Sequence, residues 1–152
     1  MTFDTRAGTH GARQAPAGML KIVNNMAASR IRRSGRMMGF NALMLTTFGA
    51  KSGAQRTNPV GWFPGKDDSW LIVASANGSA HNPAWYHNIA AHPDKVRIEV
   101  NSQVIPVSAE QLHGAERDQA WQQITASAPR FAGYQTKTDR ELPVIRLVRQ
   151  TG

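Results

Sequence analysis

Cysteine is absent from this 152-residue chain, and long apolar runs are absent as well. Without cysteine there are no disulfides, no thiolate nucleophiles and no sulfur ligands for a metal, which is typical of proteins in a reducing cytoplasm. No stretch approaches the roughly 20 apolar residues that span a bilayer. The segment Met1–Ala17 also lacks the charged and apolar arrangement of a signal peptide. We therefore expect a soluble cytoplasmic protein.

Acidic residues are scarce: 10 of them face 18 lysines and arginines, giving a net charge of +8. Such an excess indicates an anionic partner, which can be nucleic acid, acidic lipid or a charged small molecule. Most of the basic residues are arginine, whose planar fork suits phosphate and carboxylate groups. No nucleic-acid-reading motif and no strand face of alternating aromatic and basic residues is present, so we expect no nucleic-acid partner.

A metal-ligand pattern is also lacking. His81, His87 and His92 are separated by six and five residues, which does not place them on one helix face. No acidic ligand lies nearby to complete a set. We therefore predict no metal site.

The chain begins with a polar segment, Met1–Gly18, that has no apolar periodicity and is expected to be a disordered tail. Residues 19–152 are expected to form a single domain. Apolar residues at helical spacing from Met19 to Ile31 predict an amphipathic helix that ends near Ser34, with several arginines towards its end. Two interpretations of that helix stay open. It can cover one side of a sheet, or it can contact a membrane surface or the anionic tail of a cofactor.

Strand patterns dominate the rest of the chain. We predict about six strands, over Ala42–Phe48, Thr57–Phe63, Trp70–Ser75, Lys95–Val100, Gln103–Ser108 and Leu142–Arg149. Asn82-Pro83 predicts a helix start, with Asn82 as its N-cap. Ser108–Gln111 has the form of a capping box before a second helical segment, Ala115–Ala126. The expected class is a mainly β fold with helices (α+β).

The stretch Leu43–Pro59, LMLTTFGAKSGAQRTNP, predicts two strands joined by a basic turn bounded by glycines. Such a backbone leaves amide N–H groups, the Ser52 hydroxyl, Lys51 and Arg56 free to converge on one anion. A solvated hairpin turn is the plain alternative. In the following helix, Trp85 and Asn88 lie one turn apart on the same face, which favours their contact with a common pocket.

Three separated blocks carry a resemblance to a known family. They are GAKSGAQRTNP, SANGSAHNPAWYHNIAAHP from Ser75 to Pro93, and TDRELPVIRLV from Thr138 to Val148. Their order and spacing resemble the deazaflavin (F420)-dependent nitroreductase and quinone reductase family, over about Leu20 to Val148. The resemblance implies a split β-barrel related to FMN-binding barrels. It also implies coenzyme F420 as cofactor, and hydride transfer to a quinone, an enone or a similar electron-poor acceptor.

The resemblance also implies site residues. Tyr134 and Ser75 match positions beside the substrate and are the expected catalytic residues. The expected cofactor-binding residues are Lys51, Ser52, Gly53, Arg56, Thr57, Asn58, Pro59, Val60, Ala74, Ser75, Ala76, Asn77, Gly78, Trp85, Tyr86, Asn88 and Phe131. Arg140 is expected to have a structural role. The chain departs from the family pattern at Gly61, Ala76, Ala128 and Phe131, where relatives often carry tyrosine or lysine.

Other functions remain open at this stage. An FMN-dependent reductase needs the same kind of basic loop, and a non-catalytic lipid-binding or cofactor-binding protein also fits the charge. A monomer and a homodimer are equally compatible with the sequence. Peripheral membrane contact through the N-terminal helix is a further prediction.

Overall fold

The computed structural model describes residues 3–11, 31, 35–37 and 40–150. Within them lie eight strands: β1 Arg36–Met37, β2 Phe40–Phe48, β3 Gln55–Gly61, β4 Phe63–Pro64, β5 Trp70–Val73, β6 Val96–Val100, β7 Gln103–Gln111 and β8 Val144–Arg149. The helices are α1 Ala84–Ala91, α2 Gly114–Ser127 and α3 Arg130–Thr136, with short 3₁₀ turns at Lys66–Asp68 and Ala76–Gly78. No helix in this described part of the chain is long and apolar enough to cross a membrane.

The sheet closes on itself through a single bent segment. All pairings are antiparallel, in the order β3-β2-β6-β7-β8-β5-β4, with β1 added to the start of β2. Only Trp62 separates β3, which pairs with β2, from β4, which pairs with β5. The two ends of the sheet therefore belong to one continuous segment, and the sheet wraps into a barrel. This confirms the predicted mainly β barrel with helices.

The core fills the barrel and continues under the helices. Side chains alternate along β2, so that Leu43 and Leu45 are fully buried inside the barrel. All four residues of β5 are buried, as its apolar pattern predicted. A second apolar cluster lies beneath α2 and α3, where Phe63 and Phe131 meet edge to face at 5.7 Å between ring centroids. This second cluster fixes α3 beside the end of β5.

The predicted strands correspond to the six longer strands of the structure. The hairpin between β6 and β7 turns on Asn101 and Ser102, whose φ values of 51° and 64° are those of a tight two-residue turn. The capping box at Ser108–Gln111 is wrong, because β7 continues through Gln111 and pairs with β8 there. The predicted amphipathic helix from Met19 lies outside the described residues, except for Ile31.

Residues Phe3–Gly11 pack along the barrel and form a strap. The Thr5 N–H donates to the Tyr86 hydroxyl at 3.1 Å, and the Thr9 hydroxyl donates to the Asp139 carboxylate at 2.7 Å. The predicted disordered tail therefore does not describe these nine residues, because the backbone N–H groups of Thr5, Gly8 and Thr9 donate to partners more than 70 positions away. The rest of that predicted tail lies outside the described residues.

Candidate functional site

A cleft of about 180 Å³ opens where β3, the end of β5, α1 and α3 meet. Its walls are mostly apolar and aromatic, with a few polar groups, as is usual for a site that receives a small organic ligand. The lining residues are Pro59, Val60, Gly61, Val73, Ser75, Ala76, Asn77, Pro83, Trp85, Phe131 and Tyr134. Eight of them belong to the set predicted from the sequence, and Gly61, Val73 and Pro83 were not in it. Three of the four departures, Gly61, Ala76 and Phe131, line this cleft, whereas Ala128 is buried in the second apolar cluster.

One wall of the cleft is a left-handed turn. Ser75 is right-handed helical, and Ala76, Asn77 and Gly78 follow with φ values of 45°, 56° and 82°. A right-handed residue followed by a left-handed one turns successive backbone N–H groups to the same side, which makes a concave site for an anion or a carbonyl oxygen. The N–H groups of Ser75, Ala76 and Asn77 have no acceptor among the described residues. They are therefore available to a ligand.

Two residues that carry hydroxyl groups also line the cleft. The side chains of Ser75 and Tyr134 both line it and are half-buried. Within the described part of the chain, neither hydroxyl makes a hydrogen bond. Each can therefore donate to a bound oxygen atom, which is the role expected of the two predicted catalytic residues.

The Tyr134 ring is fixed from two directions. Phe131 meets it edge to face at 5.5 Å, and the ammonium group of Lys137 lies 5.7 Å from the ring centroid. Lys137 thus puts a positive charge at the rim of the cleft. Sequence reasoning missed this lysine, although its position three residues after Tyr134 was the available signal.

The predicted basic loop is a closed, ordered turn. The Gly49 N–H donates to the Ala54 carbonyl at 2.8 Å, and the Gly53 N–H donates to the Gly49 carbonyl at 2.9 Å. Gly53 has a φ of 70°, which requires glycine or strain. The Ser52 hydroxyl accepts the Ala54 N–H at 3.1 Å. The loop is therefore shaped before any ligand arrives.

Two cations of this loop are free to bind an anion. Lys51 and Arg56 are exposed, and neither contacts a carboxylate within the described residues. Arg56, Asn58 and Val60 alternate along β3 and so share one face of it. Val60 lines the cleft, and four residues of strand separate it from Arg56 by about 13 Å. Pro59 and Gly61, on the opposite face, line the cleft as well, so the strand as a whole leads from the basic loop to the cleft.

Several predicted cofactor residues lie elsewhere. The prediction that Tyr86 binds the cofactor is corrected by its position. Tyr86 is 2% exposed, and its hydroxyl donates to Gln111 at 2.6 Å instead of reaching the cleft. Thr57 bonds Thr46 on the outer face of the sheet at 3.2 Å, and Ala74 is fully buried. Consecutive helical residues point about 100° apart. When Trp85 faces the cleft, the side chain of the next residue, Tyr86, therefore points into the core.

Asn88 and Gly78 support the site from behind. The Asn88 side chain accepts from the Ala50 N–H and donates to Thr47, so it holds the basic loop and does not line the cleft. Gly78 is buried against Tyr134, where an added Cβ would lie 2.6 Å from the Tyr134 carbonyl oxygen. Both residues position the site without facing a ligand.

The predicted N-cap role of Asn82 is wrong. Its amide nitrogen donates to the Thr5 carbonyl at 2.9 Å, and its amide oxygen accepts from Arg140 at 2.6 Å. The residue that precedes α1 is Pro83, which supplies no side-chain cap. Arg140 is 2% exposed, in agreement with its expected structural role, and burial lowers the pKa of its guanidinium.

Comparison with known proteins gives a consistent picture. The family model described as F420H(2)-dependent quinone reductase matches residues 20–149. An F420H(2)-dependent quinone reductase of Mycobacterium tuberculosis is 38% identical over 112 residues, which cover 72% of this chain and 74% of that protein. The residues that the family model matches contain the strands and the cleft residues described above.

Solved structures with the same fold include close relatives. An F420-H2 dependent reductase is 36% identical, with a TM-score of 0.62, and the match covers 70% of this chain and 92% of that chain. A structure described as a domain-swapped dimer is 32% identical with a TM-score of 0.63, over 84% of this chain and 98% of that one. These neighbours agree with the split barrel derived from the strand order.

Proposed function

The chain belongs to the F420H(2)-dependent quinone reductase family, and from this premise we propose that the cleft holds the deazaflavin ring and the basic loop holds the cofactor's anionic tail. The protein is accordingly an F420-dependent oxidoreductase. The observation that carries the proposal is the course of β3, which begins at the basic loop with the exposed cations Lys51 and Arg56 and ends at the apolar cleft.

The residues present fit this cofactor. F420 has a flat ring, a phosphodiester and a tail rich in carboxylates, and it therefore needs an apolar slot and separate charge-assisted donors. Trp85 and Pro59 supply flat apolar walls, and the unpaired N–H groups of the Ser75–Asn77 turn are donors for ring carbonyl oxygens. Arg56 supplies a cation about 13 Å from Val60 along the strand, and Lys51 supplies a second cation in the turn before β3.

Tyr134 and Ser75 are proposed to act on the acceptor. When bound, the reduced deazaflavin supplies a hydride to an electron-poor acceptor. The Tyr134 hydroxyl donates a hydrogen bond to the acceptor's carbonyl oxygen and stabilises the negative charge that develops there. Ser75 orients the same oxygen, and the proton that completes the reduction comes from Tyr134 or water. No buried acid–base pair is needed for this reaction.

The acceptor is proposed to be a quinone or a conjugated enone. Its ring must lie against Tyr134 and Phe131, which meet edge to face at the cleft. Gly61 and Phe131 take positions where relatives often carry tyrosine, so the cleft is wider and less polar there. These exchanges favour a flat, apolar acceptor over one that needs several hydroxyl donors.

Assembly and location follow as further proposals. One similar structure is described as a domain-swapped dimer, which supports a homodimer for this chain as well. A cytoplasmic location is proposed from the lack of cysteine, and peripheral membrane contact from the basic N-terminal segment alone. A membrane-soluble quinone is an acceptor of compatible location.

Single alanine substitutions test the loop assignment. Lys51→Ala and Arg56→Ala should each weaken F420 binding by about tenfold, since each removes a charge-assisted contact. Turnover at saturating cofactor should change little. Lys66→Ala removes an equally exposed lysine from a different surface and serves as the matched control. Unchanged cofactor affinity in both loop variants would contradict the assignment.

A further inference from the structure

Arg140 holds both ends of the left-handed turn in the cleft wall. Its guanidinium donates to the carbonyl oxygens of Ala74 at 2.9 Å and Ser75 at 3.0 Å, which precede the turn. It also donates twice to the Ser79 carbonyl, at 3.1 and 3.0 Å, directly after the turn. One rigid planar group therefore clamps the backbone on either side of Ala76–Gly78.

The clamped turn is strained and needs such support. Ala76 and Asn77 have φ values of 45° and 56°, and a non-glycine residue in this region costs about 1 kcal/mol or more. Two internal hydrogen bonds, from Gly78 N–H to Ser75 and from Ser79 N–H to Ala76, do not by themselves select the left-handed form. Strain of this kind persists only where surrounding contacts impose it.

Arg140 is also a buried cation whose partners are neutral. Its five donor contacts go to three backbone carbonyls and the Asn82 amide, and no described carboxylate lies within ion-pair distance of it. Burial without a counter-ion is costly for a charge. The uncompensated charge lies directly behind N–H groups that themselves attract negative charge, so both features favour an electron-rich oxygen in the cleft.

We propose that Arg140 is a positioning residue that imposes the left-handed turn at Ala76–Gly78 and so presents to the deazaflavin ring the N–H groups of Ser75, Ala76 and Asn77, which have no acceptor among the described residues. The inference rests on the proposed function for the identity of the ligand. It assigns to Arg140 a role in cofactor affinity, beyond its contribution to the stability of the barrel. Asn82 completes the arrangement by joining the guanidinium to the Phe3–Gly11 strap.

Hydrogen exchange of the protein without cofactor tests the turn directly. In Arg140→Gln, protection of the Gly78 and Ser79 amides should fall by about tenfold or more, the effect of losing a net hydrogen-bond contribution. Protection of the Ala109 amide, which donates to the Pro93 carbonyl in the barrel, should fall much less. Arg146→Gln is the matched control, because Arg146 pairs with Glu110 and Glu116 away from the cleft.

Cofactor binding gives the second readout. The dissociation constant of oxidised F420 should rise about tenfold in Arg140→Gln and stay unchanged in Arg146→Gln. Where Arg140→Gln does not fold, Arg140→Lys decides the question, since lysine keeps the charge but its three donors cannot reproduce the five contacts of the planar guanidinium. It should show the same local loss of protection, in milder form.

The outcomes separate the two proposals. Protection that is unchanged at Gly78 and Ser79, or lost equally at Ala109, would overturn the positioning role while leaving the proposed function intact. Unchanged F420 affinity in a variant whose turn has lost protection would overturn the link between the turn and the cofactor. A wild-type protein that does not bind F420 would overturn the proposed function, and the exchange comparison would still decide whether Arg140 holds the turn.

Discussion

The Asn88 side chain accepts a hydrogen bond from the backbone N–H of Ala50 at 3.1 Å, across 38 residues of sequence. Its other end donates to Thr47 at 3.2 Å. Trp85, three residues earlier on the same helix, lines the cleft. A single helix, α1, therefore fixes the basic loop relative to the cleft, and a ligand that uses both meets a preformed site.

Asn88→Ala should weaken F420 binding by about tenfold, because the loop loses its anchor and the ligand must then order it. The unfolding free energy should fall by about 1 kcal/mol for the lost hydrogen bonds. Thr47→Val is the control, since it removes the second bond and keeps the one to Ala50. Equal cofactor affinities in wild type and Asn88→Ala, measured by fluorescence titration, would contradict the role of the anchor.

The two tyrosines of the chain offer a matched pair. Tyr134→Phe should lower kcat by about 10-fold to 100-fold through loss of one donor to the developing charge, with F420 affinity nearly unchanged. Tyr86→Phe should lower the unfolding free energy by about 1 to 2 kcal/mol, because Gln111 and Thr5 lose their buried partner. Its kcat should stay near the wild-type value. Steady-state assays and denaturant unfolding measure these effects. A loss of kcat in Tyr86→Phe, with kcat unchanged in Tyr134→Phe, would contradict the catalytic assignment of Tyr134.

Ala76→Gly should stabilise the protein by about 0.5 kcal/mol, since glycine tolerates the φ of 45° that alanine resists. The same exchange at Ala90, on the exposed side of α1, should instead destabilise it by about 0.5 to 1 kcal/mol. Chemical denaturation measures both. Destabilisation by Ala76→Gly would mean that the turn is not left-handed in solution.

The contact between Asp139 and the N-terminal strap should make the free energy of unfolding depend on pH in the acidic range. Hydrogen bonds from the Thr9 hydroxyl and N–H lower the pKa of its carboxyl from 3.8 to about 2. A carboxyl with a lowered pKa stabilises the folded state above its ordinary pKa, and this contribution disappears as the pH falls from about 4 towards 2.

Asp139→Asn should therefore show a shallower loss of unfolding free energy over that acidic range than the wild type, and no difference in pH dependence near neutrality. Thr9→Val should show part of the same change. The His10 ring nitrogen lies 3.6 Å from the same carboxylate. Identical pH profiles for Asp139→Asn and the wild type would contradict the contact.

Much of the barrel could be predicted because its signals are local. The apolar run of β5 and the Asn101-Ser102 turn each specify their structure within a few residues. The shape of the basic loop followed likewise from Gly49 and Gly53. The capping box predicted at Ser108–Gln111 is wrong because the same residue pattern is also compatible with the end of a strand. Pairing with β8 extends β7 through these residues.

The less predictable features depend on contacts between distant parts of the chain. The sequence predicts that Asn82 caps the helix that follows it, but its amide oxygen accepts a hydrogen bond from Arg140, 58 residues away. The family block Ser75–Pro93 contains both Trp85 and Tyr86 and predicts cofactor contact for both, although neighbouring helical residues point in different directions. The ordered strap was missed because its polar residues have no periodicity and find their partners only in the folded barrel.

The most direct test of the central claim is a titration of the purified protein with oxidised F420 and, separately, with FMN, followed by tryptophan fluorescence. Trp85 lines the cleft and should report a ring that stacks against it. We predict saturable quenching with F420 at concentrations at which FMN binds much more weakly, because the exposed Lys51 and Arg56 can also pair with the carboxylates of the F420 tail, which FMN lacks. Tighter binding of FMN, or no binding of either, would contradict the account.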